Sequence, residues 1–241
     1  MTGDVGSPGR GVHAMRSFTV AQVARLLDHA VLRPEYTTGD LAAHATMCVD
    51  RGVGCVCVRP CDVKETVRLV GGSPVAVASV IGFPHGSQRS ETKALEARLA
   101  IGDGARELDM VMNIGRFLSG ADDAVRDDIA AVVAVAKPHG VLVKVILEIC
   151  YLSPDGIEAA CRLAESAGAD FVKTSTGFGP GGATPEGVRR MLDTVGGRMG
   201  VKASGGIRTW SDALTYLSMG CTRLGVGDAA LILGAAPCDA G

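Results

Sequence analysis

The chain has 241 residues, of which 47% are apolar and only 4% aromatic, and its formal net charge is −2. This size suits one large α/β domain or barrel, and the scattered charges exclude a basic stripe that would bind nucleic acid. No run of about 18 apolar residues is present, which excludes a membrane span.

The two ends of the chain differ in composition from its middle. Residues 1–18 are rich in glycine and lack the apolar segment of a secretory signal. We expect them to be a disordered tail before a single domain over residues 19–236, with a short tail over 237–241. The eight cysteines need not form disulfides in an apolar chain of this size, so a cytoplasmic protein with free thiols is the simplest expectation.

Between these tails, apolar segments rich in valine and isoleucine alternate with amphipathic helical patterns. The predicted strands are 27–32, 53–59, 75–82, 106–113, 142–150, 171–175, 200–204 and 223–226. The predicted helices are 39–51, 91–102, 123–137, 154–167, 185–194, 211–219 and 228–233. Near-continuous apolar strands separated by helices indicate a parallel sheet that is covered on both faces. Eight such units, with no dinucleotide-binding glycine motif after the first strand, predict a single-domain (β/α)8 TIM barrel.

Three lysines interrupt apolar strands in the second half of the chain, although only six of the 24 basic residues are lysine. They are Lys144, Lys173 and Lys202, each 29 residues from the next, which is the length of one strand–helix unit. We expect the three lysines to lie at similar heights on strands five, six and seven. One strand lysine is explained by an ion pair or by a side chain that reaches solvent. Three lysines in register favour chemistry at an amine, because a lysine beside another cation loses its proton more readily. Arginine cannot lose its proton in this way.

Carboxylates are available to pair with these lysines. Asp109 interrupts the apolar strand ELDMVMN, and we expect it to pair with a barrel lysine and move protons, with a structural salt bridge as the alternative. Asp28, on the first strand, has the same two interpretations. Glu148 has the same strand parity as Lys144, four residues earlier, and is interpreted as its counter-ion.

Glycine-rich segments follow the last three predicted strands. Lys173 is followed by TSTGFGPGGAT and Lys202 by ASGGIRT. The segment GVGD begins within the eighth predicted strand and ends just after it. Loops after strands seven and eight are where barrels usually bind phosphate through backbone N–H groups. The candidate phosphate-binding residues are Thr176, Gly177, Gly205, Gly206, Gly225, Gly227 and Asp228.

Several long motifs resemble those of deoxyribose-phosphate aldolases: ELDMVMNIG, VKVILEICYL, DFVKTSTGFGPGGAT and GVKASGGIRT. Weaker similarities are LDHAVLRP, GCVCVRPCDV and VIGFPHG, so the resemblance spans nearly the whole barrel. It implies reversible cleavage of 2-deoxyribose 5-phosphate to acetaldehyde and glyceraldehyde 3-phosphate through a lysine Schiff base. It also implies that no metal or organic cofactor is needed, because the lysine itself withdraws the electrons.

The resemblance further implies a role for individual residues. Lys173 would form the imine, and Lys202 would lie beside it and lower its pKa. Asp109, with ordered water, would move the protons, and Lys144 would complete the polar cluster. Cys57 would lie near the substrate pocket. The family also implies a homo-oligomer, a dimer or a tetramer, whose ligands are sugar phosphates and aldehydes, with no nucleic-acid or membrane partner.

The largest departure from the family lies after strand eight, where Gly227 and Asp228 replace a Ser-Ser pair common in its members. Asp228 is expected either to cap the short helix that follows or to occupy part of the phosphate site. Two other functions stay open. A phosphosugar isomerase or epimerase would share the phosphate loops without needing three strand lysines, and a catalytically silent barrel would bind a sugar phosphate without converting it.

Overall fold

The computed structural model describes residues 18–236, and its eight parallel strands form a closed barrel in which β8 returns to β1. The strands are β1 (Leu27–Val31), β2 (Cys55–Val58), β3 (Ala76–Ile81), β4 (Glu107–Val111), β5 (Leu142–Ile146), β6 (Phe171–Lys173), β7 (Gly200–Ser204) and β8 (Arg223–Val226). The helices are α1 (Val20–Leu26), α2 (Thr38–Asp50), α3 (Val63–Leu69), α4 (Ser90–Gly102), α5 (Ile114–Leu118), α6 (Asp122–Ala136), α7 (Pro154–Ser166), α8 (Pro185–Val195), α9 (Trp210–Met219) and α10 (Ala229–Gly234). The predicted TIM barrel is confirmed.

Several helices begin at side-chain caps that the sequence carries. Thr37 and Thr209 each form a capping box with an aspartate three residues later. Ser153 and Thr184 cap helices that have proline at the first position. These caps bind N–H groups that the first helical turn leaves without a partner, and they set where each helix starts.

The repeated turn from helix to strand contains a glycine in the left-handed region. Gly104, Gly168 and Gly220 have φ values of 103°, 85° and 115°. Each follows the end of a helix, where residues with a Cβ are disfavoured in this conformation. The chain can therefore reverse at once into the next strand.

The inside of the barrel is divided between an apolar and a charged region. The apolar part is a small cluster near β1, β2 and β3: Leu32, Cys55, Cys57, Ala78 and Val80. Lysines and carboxylates occupy the remainder, and the main hydrophobic core packs between the strands and the surrounding helices. This division leaves charged side chains facing the centre of the barrel.

The fifth strand is shorter than predicted, and this changes the position of one candidate residue. β5 ends at Ile146, and Glu148 has a φ of 53° before a short 3-10 helix over Ile149–Tyr151. Leu147 remains fully buried although it lies beyond the strand. Apolar residues therefore continue past the point where the strand ends, which is why hydrophobicity alone predicted a longer strand.

Strands β2, β3, β4 and β6 are each two or three residues shorter than predicted, and the other differences involve short elements and the chain ends. Helices α1, α3 and α5, which span seven, seven and five residues, were not predicted. The predicted tails lie outside the described residues, except for Phe18, which packs against the core. Within residues 18–236, no helix is long and apolar enough to cross a membrane.

Candidate active site

The side chains of the three strand lysines meet at the carboxylate of Asp109. Lys144 Nζ lies 2.7 Å from Oδ1, while Lys173 Nζ and Lys202 Nζ each lie 2.7 Å from Oδ2. In the ladder, Lys173 pairs directly with Lys202, but Lys144 pairs with Phe171, two residues before Lys173. The three amines converge as expected, whereas the expected common height on the three strands holds only for Lys173 and Lys202.

A further set of ion pairs lies next to this cluster. Asp28 contacts Lys202 and Arg223, and Arg223 Nη1 lies 2.6 Å from Asp28 Oδ1. Glu107 lies 2.5 Å from both Lys144 and Arg223. Glu107 and Arg223 were not predicted as parts of the site. The available signal was strand parity, since Glu107 shares a face with the aspartate two residues later.

Asp28 lies in this charged network rather than among the glycine-rich loops. It is 1% exposed, and both of its carboxylate oxygens already accept hydrogen bonds from cationic side chains. Together with Cys55 and Glu107 it places potential metal-binding atoms within 4.8 Å of one another. Lys202 and Arg223 supply the positive charge there, so the arrangement favours ion pairs over a metal ion.

The pKa values of the three amines shift in different directions because their neighbours differ. Burial lowers the pKa of Lys173, and the adjacent Lys202 cation lowers it further against the attraction of Asp109. Burial also opposes charge on Lys202 and Lys144, but the surrounding carboxylates outweigh burial and raise both pKa values above the usual range. Of these three amines, Lys173 is the one whose pKa the surroundings lower, so it loses its proton most readily.

Asp109 and Cys57 face the same part of the barrel but differ in charge. Burial alone would raise the pKa of Asp109, yet the three lysines hold it well below the usual value, so the residue is a carboxylate. Cys57 Sγ lies 4.0 Å from Asp109 Oδ2. Burial and the Asp109 charge raise the pKa of Cys57 to about 11, so its thiol is protonated at neutral pH.

A cavity of 610 Å³ opens beyond Lys173 and Lys202, at the carboxyl ends of the strands. Asp28 and Cys57 line it as well, whereas Asp109 and Lys144 lie behind its wall. All the candidate loop residues line it: Thr176, Gly177, Gly205, Gly206, Gly225, Gly227 and Asp228. The structure thus brings the lysines and the glycine-rich loops to one cavity.

The glycines around this cavity serve two purposes. A Cβ added at Gly225 would lie 2.7 Å from Ser204 Cβ and 3.2 Å from Lys202 Cε, so glycine there leaves room for both side chains. Gly177, Gly206 and Gly227 instead have no atom within 4 Å of such a Cβ. Their backbone N–H groups donate to no acceptor within residues 18–236, which leaves them available to an anion.

Several residues of the cavity rim were not predicted: Arg33, Tyr36, His44, Phe178, Ile207, Arg208 and Leu231. A histidine pair supports this rim. The N–H of Ala229 donates to His29 Nδ1 at 3.3 Å, and His29 Nε2 lies 2.8 Å from His44 Nδ1. Because Nδ1 of His29 accepts, its proton is on Nε2, which donates to His44.

We expect protonation of His29 to destabilise the fold in mild acid. Burial and His44 lower the pKa of His29 from 6.5 to about 4. The unfolded chain therefore binds the proton first, and the stabilisation is complete above about pH 6.5 and is lost as pH falls towards 4. Urea unfolding at pH 7 and at about pH 4.5 measures the free energy of unfolding. Between these two pH values, His29→Asn, which keeps an acceptor for Ala229, should lose about 2 kcal/mol less unfolding free energy than the parent. Equal losses would contradict this assignment.

The comparisons with known proteins agree with this geometry. A profile described as DeoC/LacD family aldolase matches residues 22–228. The deoxyribose-phosphate aldolase of Mycobacterium avium is 49% identical over 220 residues, covering 89% of this chain and 97% of the relative. That of Thermococcus kodakarensis is 47% identical over 218 residues, covering 90% and 97%.

A solved structure shows the same fold. The tetrameric deoxyribose phosphate aldolase from Aeropyrum pernix matches with a TM-score of 0.84 and 34% identity, over 90% of this chain and 91% of that one. These similarities extend over the whole barrel, including the strands that carry the three lysines. The chain therefore belongs to the DeoC/LacD aldolase family.

Proposed function

We propose that the chain is a class I aldolase that reversibly cleaves 2-deoxy-D-ribose 5-phosphate to acetaldehyde and D-glyceraldehyde 3-phosphate. The observation that carries the proposal is Lys173, a buried lysine that lines the cavity and whose pKa is lowered. Backbone N–H groups at the rim that have no acceptor among residues 18–236 suit the phosphate of such a substrate. Relatives that are deoxyribose-phosphate aldolases, at 47% and 49% identity, support the same substrate.

Charge balance supports Lys173 as the nucleophile. Lys173 contacts Asp109, which belongs to a connected network of three carboxylates and three other cations: Asp28, Glu107, Asp109, Lys144, Lys202 and Arg223. With Lys173 neutral, this buried group carries no net charge. Protonation would add one uncompensated buried charge, which costs several kcal/mol. The neutral amine is also the form that attacks a carbonyl group.

The proposed reaction begins when Lys173 attacks the C1 aldehyde of the open-chain sugar phosphate. Loss of water gives an iminium, which withdraws electrons while the C3 hydroxyl loses its proton and the C2–C3 bond breaks. Glyceraldehyde 3-phosphate leaves, and the enamine that remains is protonated at C2 and hydrolysed to acetaldehyde and free amine. We assign proton relay to Asp109 with water, pKa control to Lys202 and positioning of Asp109 to Lys144.

The release of acetaldehyde tests this function directly. Incubation with 2-deoxyribose 5-phosphate should yield acetaldehyde, measured through NADH consumption by an added alcohol dehydrogenase. An isomerase or epimerase would convert the sugar phosphate without forming acetaldehyde. A silent barrel would bind the sugar phosphate without converting it, and either result would overturn the proposal.

We expect Asp228 to weaken the preference for a phosphorylated substrate. Its Oδ1 accepts the N–H of Leu231 at 2.9 Å as the N-cap of α10, and the residue also lines the cavity. Like charges about 6 Å apart repel by about 3 kcal/mol at an effective dielectric of about 20, before salt screening. Asp228→Ser keeps a capping side chain and should raise the preference for the phosphorylated sugar about tenfold or more.

The measurement for Asp228 is the ratio of kcat/KM for 2-deoxyribose 5-phosphate to that for 2-deoxyribose. It should rise in the variant mainly through a lower KM for the phosphorylated sugar. The unphosphorylated sugar is the internal control, since it lacks the charge that Asp228 repels. A ratio equal to that of the parent would show that Asp228 only caps its helix.

Two further properties belong to the proposal. We propose a homo-oligomer, a dimer or a tetramer, because the Aeropyrum pernix relative is tetrameric and because Leu95 and Leu99 are exposed on α4. We propose a reducing, cytoplasmic location, because the seven cysteines within residues 18–236 are all free thiols.

A further inference from the structure

Glu148 is a buried carboxylate that the proposed reaction does not use. It is 2% exposed, and it is the only residue other than glycine within residues 18–236 that has a positive φ. Such a backbone conformation is unfavourable for a residue with a Cβ and persists only where contacts compensate for it. The expected pairing with Lys144 is wrong, because β5 ends two residues before Glu148 and its side chain contacts the loop after β6.

The contacts of Glu148 join the loops that follow β5 and β6. The N–H of Thr176 lies 3.2 and 3.3 Å from the two carboxylate oxygens, and the Thr176 hydroxyl donates to Oε2. The same hydroxyl oxygen accepts the N–H of Phe178 at 3.0 Å. In addition, the N–H of Ile149 donates to the carbonyl oxygen of Thr174 at 3.0 Å. Glu148 and Thr176 therefore form the link between the two loops.

This link fixes one wall of the cavity that contains Lys173. Thr176, Gly177 and Phe178 all line the cavity. The residues on either side of Gly177 use their N–H groups within the link. The N–H of Thr176 donates to the Glu148 carboxylate, and the N–H of Phe178 donates to the Thr176 hydroxyl oxygen. The N–H of Gly177 itself has no acceptor among the described residues. The loop thus holds one free donor in place between two occupied ones.

Gly179 brings the loop close to the carboxylate. A Cβ added at Gly179 would lie 3.2 Å from Cδ of Glu148, closer than an ordinary van der Waals contact. The loop therefore packs against Glu148 as well as bonding to it. A residue that packs against a loop and also accepts hydrogen bonds from it restricts the movement of the loop more than a single hydrogen bond does.

We propose that Glu148 is a positioning residue for the substrate: its carboxylate holds the loop after β6 so that the Gly177 N–H faces the anionic end of the sugar phosphate. Glu148 acts through Thr176 and touches neither Lys173 nor the reacting carbons. The identity of the substrate rests on the proposed function, whereas the link between the loops rests on the contacts alone.

The test compares Glu148→Gly with Glu148→Gln. Glycine removes the carboxylate and tolerates the backbone conformation, while glutamine keeps one acceptor oxygen for the Thr176 N–H. Glu148→Gly should raise KM for 2-deoxyribose 5-phosphate about tenfold to a hundredfold, the effect of losing hydrogen bonds to a charged group. Borohydride trapping of acetaldehyde on Lys173 should proceed at the parental rate. Glu148→Gln should restore most of the loss in KM.

Hydrogen–deuterium exchange measures how readily the amides of the loop open to solvent, independently of activity. The amides of residues 174–178 should exchange faster in Glu148→Gly than in the parent. Asp155→Asn, which removes an exposed carboxylate at the start of α7, is the matched control and should change neither KM nor exchange. Thermal unfolding establishes that each variant is folded.

Each outcome decides a different part of the proposal. A parent that does not cleave the sugar phosphate overturns the proposed function, and the exchange result then still decides whether Glu148 holds the loop. With an active parent, an unchanged KM or unchanged exchange in Glu148→Gly overturns the positioning role. A fall in the rate of acetaldehyde trapping also contradicts it, since Glu148 would then act on Lys173.

Discussion

Replacing Lys173 with alanine should lower kcat/KM for 2-deoxyribose 5-phosphate by about four orders of magnitude or more, because covalent catalysis is lost with the amine. Lys202 cannot substitute for it. The carboxylates of Asp109 and Asp28 raise the pKa of Lys202 above the usual range and so keep that amine protonated. Steady-state assays of acetaldehyde release compare the variant with the parent.

Covalent trapping identifies the reacting amine independently of the rate. Acetaldehyde with borohydride should add one ethyl group to Lys173 in the parent, located by peptide mass spectrometry, and should add none at this position in the alanine variant. Lys64→Ala removes an exposed lysine on α3 and is the matched control, which should keep both activity and trapping. Stoichiometric labelling of Lys202 or Lys144 would contradict the assignment of Lys173.

Replacing Lys202 with leucine should move the acidic limb of the pH–rate profile to higher pH. Lys202 repels the proton of Lys173, and it also neutralises part of the charge of Asp109 and Asp28. Without it, a neutral Lys173 leaves the cluster with an unbalanced negative charge, so the pKa of Lys173 rises. The neutral amine is the active form, and activity is therefore lost at a higher pH as the solution is acidified.

The expected shift for Lys202→Leu is a pKa rise of about one unit or more in Lys173, so the acidic limb should move to higher pH by the same amount. Lys202→Arg keeps the cation but not the shape of the amine. Partial recovery of the parental profile in this variant would indicate that charge is the main contribution of Lys202. An acidic limb that stays in place in Lys202→Leu would show that the two amines are not coupled.

The amino-acid sequence by itself determined the barrel and the region of the site. Apolar strands alternating with helices are local features, and so are the threonine and serine caps and the glycine turns, because each depends on residues within a few positions of one another. Lys144, Lys173 and Lys202 were found by their regular spacing, since equal strand–helix units place such residues on neighbouring strands. The glycine-rich segments likewise indicated the rim at which they meet.

Only the tertiary structure decided the partners of these residues. Arg223 contacts Glu107 across 116 residues of sequence, and the contacts of Glu148 depend on where β5 ends, which hydrophobicity did not show. The lowered pKa of Lys173 likewise depends on charges contributed by several strands at once. A pKa reflects the sum of burial and of distances to every nearby charge, and those distances exist only after the barrel has closed.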